Sequence, residues 1–343
     1  MNGVDYSFLA ISVAGASLTA ALFLKFAHTF GFIAHPNDRS SHGAPTVTAM
    51  GILIPISVII YNFWRPGDIS SGFFYGFLLV SLISFIDDIY FLKHSLRLIC
   101  QIVGLGLMIY ELPFQSDGVE MVAIGLAGML LGIGVINAYN FMDGVNGMLT
   151  LHCIAVLLSL LYLNETYSSV EGLAKPFASS AYIINVIVPL AIFSFFNVRA
   201  HAKAFIGDVG AISIAFIILQ LMFLLLLNSG NYTYLLLFSV FGADAGLTVC
   251  YKLILGENIF VPHRDFAFKK LVHIKGLSHL KVSLYYLLFQ VLINAAIIFL
   301  VPAHPKLSSQ LAILFIGTLF LISLYIYLQH KMNRLESISK EQA

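Results

Sequence analysis

Apolar windows alternate with short polar connections along this chain, at 5–30, 46–63, 71–88, 94–112, 119–139, 146–164, 179–196, 206–228, 232–254, 281–301 and 309–329. A helix needs roughly 17–25 mostly apolar residues to cross the hydrocarbon core of a bilayer. Backbone facing lipid must satisfy its own hydrogen bonds, which favours a helical bundle. The pattern therefore predicts an all-α, polytopic integral membrane helical bundle of about eleven transmembrane helices. Windows 46–63 and 71–88 are short. No low-complexity segment or internal repeat breaks the pattern, so residues 1–343 read as a single domain.

Composition agrees with the pattern. The 343 residues are 59% hydrophobic and only 10% charged, against about 25% charged in soluble domains. Met1 to Asp5 lack the cationic start of a cleavable signal peptide, so the first window is expected to be a retained span. An odd number of spans puts the two ends on opposite sides. Of the 18 Lys and Arg residues, Arg65, Lys175 and Lys306 fall in connections on one side, and Lys25 lies within the first window. All the others fall on the opposite side, which the positive-inside rule makes cytoplasmic. The N-terminus is thus expected outside and the C-terminus inside. A net charge of +1, with no acidic or basic tail, gives no sign of a nucleic-acid partner. Cys100, Cys153 and Cys250 sit one by one in apolar runs and read as packing residues.

The charge count also places the polar chemistry. Asp87 and Asp88 end the third window, where ionisable groups are costly and their presence suggests function. Lys93 and Arg97 follow at spacings that allow local salt bridges. Asn137, Asn140, Asp143 and Asn146 recur every three residues, on one face of a helix end or in the turn after it. Their amides suit a nucleobase or sugar edge, and Gly144 and Gly147 allow close ligand approach. Asp208 stands just inside the start of another window. It either complements the helix dipole or, with the other acids on the same membrane face, ligates Mg²⁺.

Residues 253–280 form the longest connection on the cytoplasmic side. This loop brings His263, Arg264, Lys269, Lys270, His273 and His279 together with Phe266, Phe268 and Leu271. Arg and His suit phosphate oxygens, and the apolar residues predict an amphipathic helix at the lipid headgroups. Pro36 to His42 adds Asn37, Arg39, Ser40, Ser41 and His42. The chain has no HExxH, P-loop or Gly-rich dinucleotide fingerprint. Polar residues gathered at one membrane face argue against a secondary transporter, which places them near mid-membrane.

These motifs together resemble the polyprenyl-phosphate N-acetylhexosamine-1-phosphate transferases, a family that includes the phospho-MurNAc-pentapeptide translocases. The resemblance rests on Pro36-Asn-x-Arg-Ser-Ser-His42, Phe85-Ile-Asp-Asp88, Asn137-Ala-Tyr-Asn-Phe-Met-Asp-Gly144, Phe205-Ile-Gly-Asp208, Asp244 with Thr248, Pro262-His-Arg-Asp265 and Gly276-Leu-Ser-His279. Their order along nearly the whole chain is the family's, closest to the branch that initiates O-antigen and related surface glycans. The resemblance implies transfer of a sugar-1-phosphate from a UDP-sugar to undecaprenyl phosphate at the cytoplasmic face of the bacterial inner membrane. The products would be undecaprenyl-diphospho-sugar and UMP, with Mg²⁺, or Mn²⁺ in its place, as cofactor. A homodimer is compatible with this reading.

By the same resemblance, Asp208 ligates the metal with Asp143, and Asp87 or Asp88 orients or deprotonates the lipid phosphate. Asn140, Asp143 and Asn146 line the uridine side, and His263 and Arg264 hold the diphosphate. Asn37, Arg39, His42, Asn137, Lys203, Asp265 and His279 complete the expected substrate contacts. The chain departs from the family in four places. Val47-Thr-Ala-Met-Gly51 replaces a usual Pro-Arg-Gly-Gly-Gly, Asn146 replaces an Asp, Lys252 an Arg and Phe266 a His. The alternatives are the peptidoglycan translocase, against which His263-Arg-Asp265 argues, and, in another class, a transporter or an inactive membrane paralogue.

Overall fold

A computed structural model describes residues 6–35, 44–114, 118–169, 176–257 and 265–341. Among these residues twelve α-helices follow one another: α1 (Tyr6–Ala27), α2 (Leu53–Trp64), α3 (Ser71–Tyr90), α4 (His94–Tyr110), α5 (Gly118–Met142), α6 (Met148–Ser169), α7 (Ser180–Asn197), α8 (Gly207–Ser229), α9 (Ser239–Ile254), α10 (Ala267–His273), α11 (His279–Leu300) and α12 (Leu307–Glu341). Every expected window contains a helix. Among the described residues, nine helical segments are long and apolar enough to cross a membrane, and Met50–Trp64 and His94–Tyr110 are shorter apolar helices. The third window, expected to be short, is a helix of 20 residues.

Two windows differ from expectation in form. Window 232–254 opens as a 3₁₀ helix, Tyr232–Phe238, because Asn231 Oδ1 takes the backbone N–H and the hydroxyl of Thr233 and tightens the first turn. The last window was expected to end at 329, yet α12 runs to Glu341, 35 residues in all. Past Gln329 the sequence is rich in helix formers and contains no Gly or Pro to stop it.

Helix α8 is the axis of the bundle. It is apolar all round, as a fully enclosed helix must be, and 89% of its apolar stretch is buried, against 6% for α12. Outer helices expose Leu18, Leu126, Leu130, Phe315 and Ile316. In a chain of this hydropathy such a surface faces lipid, and the protein is a multi-pass membrane protein. Helices α3 and α4 meet at Gly76 and Gly104. A Cβ at Gly76 would lie 2.5 Å from the Gly104 carbonyl oxygen, so only glycine lets these backbones come so close. That contact sets α4 alongside the acidic end of α3.

Polar hubs pin the outer helices. Pro189, inside α7, has no N–H for the carbonyl of Asn185, one turn earlier. The Ser57 hydroxyl of α2 donates to that carbonyl at 3.3 Å. Asn185 Oδ1 also accepts from Ser12 of α1 at 2.6 Å and from Ser57 at 3.1 Å. Asn185→Ala is expected to cost about 1–2 kcal/mol, read as a lower melting temperature in detergent, with no change in any cation dependence of activity.

Residues Ile33–Ala34 (β1) and Thr46–Val47 (β2) form a two-stranded antiparallel ribbon. From it the chain runs beside residues 204–206: Phe205 N donates to Val47 O at 2.7 Å, Met50 N to Phe205 O at 3.1 Å and Gly51 N to Ile206 O at 2.8 Å. The altered segment Val47 to Gly51 therefore buttresses the start of α8. Ala49, fully buried, holds a left-handed backbone with φ 60°.

Candidate active site

The acids at the end of α3 divide their work. Helix α3 stops at Phe91, whose backbone is left-handed at φ 49°. Leu92 N then donates to Asp87 Oδ1 at 2.6 Å, so Asp87 closes the turn. Asp88, rotated about 100° around the helix, faces the start of α8. Its Oδ1 accepts from Asp208 N at 2.8 Å and its Oδ2 from Val209 N at 2.9 Å. These N–H groups have no partner within α8, and a carboxylate there also meets the positive end of the helix dipole. Gly207, at φ 73°, makes room: a Cβ there would lie 2.6 Å from Asp88 Oδ2.

Arg97 of α4 ties the cluster together. Its Nη1 donates to Asp87 Oδ2 and, at 2.9 Å, to Asp208 Oδ2. Asn140 Nδ2 of α5 donates to the same Asp208 oxygen at 3.2 Å. Asp87, Asp88, Arg97, Asn140 and Asp208 thus converge from α3, α4, α5 and α8. Asp143, just past α5, donates its N–H to Asn140 O at 3.3 Å. Burial first, and then the nearby Asp208 carboxylate, push the Asp143 carboxyl up to about 7. Its carboxylate accepts no hydrogen bond from the described residues.

Other expected site residues lie near this cluster but are engaged elsewhere. Asn137 Nδ2 donates to Gln101 Oε1 at 3.1 Å and to Ile133 O at 2.8 Å, tying α5 to α4. Asn146, buried, gives its side-chain amide to the carbonyls of Arg199 and Ala200 at 3.0 and 3.2 Å. Its backbone N–H reaches His279 Nδ1 at 3.4 Å. Asn146 and His279 are therefore brought together as a clamp between the α5–α6 turn, residues 199–200 and α11. Lys203 is exposed. Asp265 pairs with Lys252 Nζ at 2.8 Å, so the Lys that replaces the family's Arg holds the residue just after 258–264. Asn37, Arg39, His42, His263 and Arg264 lie outside the described residues.

The amphipathic helix expected at the headgroups is α10, but its apolar face packs inward. Phe266, Phe268 and Leu271 are buried in the protein. Asp244 of α9 accepts from Ala267 N at 2.8 Å, Phe268 N at 3.2 Å and Tyr286 Oη at 2.7 Å, drawing α10 onto the bundle. In the sequence Arg97 reads only as a partner for local pairing. The cost argument that singled out Asp87 applies equally to one Arg in an apolar window ten residues further on, and would have found it.

Among the described residues no three His, Cys, Asp or Glu side chains are grouped to hold a metal. A magnesium site typically needs only one or two carboxylates, completed by water and substrate phosphate. Asp208 and Asp143 supply hard oxygens in that number. The donor set fits the ion.

Residues 70–226, which contain every member of the α3–α4–α5–α8 cluster, match the sequence model of Glycosyl transferase family 4. The helices that carry the acids therefore lie in the segment that is similar to that family. The chain is 24% identical over 336 residues to the probable undecaprenyl-phosphate N-acetylglucosaminyl 1-phosphate transferase of Bacillus subtilis, covering 91% of this chain and 88% of that protein. It is 27% identical over 199 residues to a phospho-N-acetylmuramoyl-pentapeptide-transferase of Streptococcus thermophilus, covering 50% of this chain and 56% of that one. A decaprenyl-phosphate N-acetylglucosaminephosphotransferase of Mycolicibacterium smegmatis is 25% identical over 233 residues, 57% of this chain and 56% of its own. The chain thus matches little more than half the length of the Streptococcus and Mycolicibacterium relatives.

Proposed function

We propose that this protein transfers an N-acetylhexosamine-1-phosphate from a UDP-sugar to undecaprenyl phosphate, releasing UMP and starting a lipid-linked surface glycan such as O-antigen. One observation carries the reading: Arg97 holds Asp87 and Asp208 together, inside the segment that matches Glycosyl transferase family 4. The Bacillus relative, which spans most of this chain, carries that kind of name. The Lys and Arg asymmetry supports a cytoplasmic site in a bacterial inner membrane.

In this reading a phosphate oxygen of the lipid attacks the β-phosphorus of the UDP-sugar. The bond from that phosphorus to the bridging oxygen breaks, and UMP leaves with the electron pair. Such transfers depend mainly on positioning and charge neutralisation. Bound Mg²⁺ would neutralise phosphate charge, held by Asp208 and Asp143. Arg97, anchored by Asp87, orients the acceptor phosphate, and Asp88 fixes the start of α8 so that Asp208 points into the site. All four oxygens of Asp87 and Asp88 accept from Leu92, Arg97, Asp208 and Val209. This engagement favours direct attack by the lipid over a covalent intermediate on either acid. Asn140 and Asp143 face the nucleotide, with His263, Arg264 and the loop 36–42 completing the donor side.

The peptidoglycan reading is kept by the Streptococcus relative, and one assay separates the two. Purified protein is given undecaprenyl phosphate, Mg²⁺ and, in turn, UDP-N-acetylglucosamine, other UDP-N-acetylhexosamines and UDP-MurNAc-pentapeptide. UMP release with a simple hexosamine donor is expected, and chelation with EDTA should stop it. Release with the pentapeptide donor alone would move the assignment to peptidoglycan synthesis, and no release with any donor would remove the enzyme reading.

A further inference from the structure

Helix α12 is too long to be only a membrane span. At 35 residues and 1.5 Å per residue it runs about 52 Å, against a hydrocarbon core of about 30 Å. Its far end is docked on the protein. Tyr325, Gln329, Met332 and Asn333 share one face of the helix by their spacing. Tyr325 Oη and Thr248 Oγ1 lie 2.8 Å apart. Gln329 Nε2 donates to Asp265 O at 2.7 Å, while its Oε1 accepts from Lys270 Nζ at 2.7 Å. Asn333 Oδ1 accepts from the same amine at 2.8 Å. Met332 is 1% exposed. A solvated tail would neither bury a methionine nor commit two amides to one lysine.

The element so held is α10. Asp244 grips it through the N–H groups of Ala267 and Phe268, and α12 through the Lys270 amine. Phe266 and Phe268 of this segment stack at 5.7 Å, and Lys269 Nζ lies 5.2 Å above the first ring and 5.8 Å above the second. This block abuts the turn that carries Asp143. A Cβ at Gly144 would lie 3.1 Å from both Phe268 Cε2 and Lys269 Cε.

We propose that the far end of α12 is a strut for the substrate site, with Gln329 and Asn333 as positioning residues that act through Lys270 to set α10 against the Asp143–Gly144 turn. The proposal rests on the transferase reading above. It assigns the strut to the nucleotide-sugar side, because Asp143 is there. Misplacing a binding wall by about 1 Å weakens productive binding tenfold or more.

The test uses the full chain in nanodiscs, comparing wild type with Gln329→Leu/Asn333→Leu. The KM for the UDP-sugar is expected to rise about tenfold, while kcat, the KM for undecaprenyl phosphate and the melting temperature stay near wild type. Hydrogen exchange at the amides of 267–273 should speed up. Asn333→Asp, which still accepts from Lys270, should keep the wild-type KM. An unchanged UDP-sugar KM in active protein would overturn the proposal, as would a parallel fall of all parameters with the melting temperature. Should wild type release no UMP, the transferase reading fails. Exchange at 267–273 still decides the strut, which unchanged rates in the double variant would refute.

Discussion

Asp208→Asn is expected to lower turnover by at least about three orders of magnitude while leaving the protein inserted and folded. The separation follows from which atoms do what. The backbone N–H of Asp208 receives the Asp88 cap, and that contact survives the substitution. The side chain alone meets Arg97 and Asn140. An Asn there keeps one acceptor oxygen but loses the charge that a divalent cation and the Arg97 guanidinium both need. The check is UMP release measured beside size-exclusion behaviour and melting temperature. Activity near wild type would remove Asp208 from the proposed metal site.

Arg97→Met should damage both stability and activity. Arg97 is 16% exposed, and its Asp87 partner 7%. Removing the cation leaves two carboxylates facing each other in a poorly solvated site, which costs about 3–5 kcal/mol. Turnover should fall at least a hundredfold, because Asp87 and Asp208 then repel. Adding Asp87→Asn to Arg97→Met should recover much of the melting temperature, since one unpaired charge is gone, but little activity. Arg97→Lys should fall between, because one ammonium cannot reproduce a planar guanidinium that spans two acids. Equal loss of activity and stability in the single and double variants would contradict the electrostatic account.

The bundle was legible because lipid imposes a simple rule: long apolar runs must be helices. Each of the eleven windows contains a helix, and among the described residues nine helical segments are long and apolar enough to cross a membrane. The failures of the rule are local. Window 309–329 missed the end of α12, where polar helix formers carry the helix past the membrane and a hydropathy reading has no signal. The candidate site could be read from the sequence as a list of acids but not as an arrangement. Asp87 and Asp88 look alike in sequence, yet one pairs with Arg97 and the other caps α8, because a step of about 100° around a helix sends neighbours to different partners. Asn146 read as a nucleobase contact, and its amide is held by the carbonyls of Arg199 and Ala200. Tertiary partners of this kind, fifty residues or more away in sequence, leave no local pattern.

In the proposed reaction a phosphate, and not only a sugar, moves to the lipid. The most direct measurement gives the purified protein a UDP-N-acetylhexosamine labelled with ³²P at the β-phosphorus, with undecaprenyl phosphate and Mg²⁺, and follows the label. The label is expected in the butanol-extractable lipid while unlabelled UMP accumulates in the aqueous phase. Label retained in the aqueous phase as UDP, with sugar on the lipid, would contradict the account.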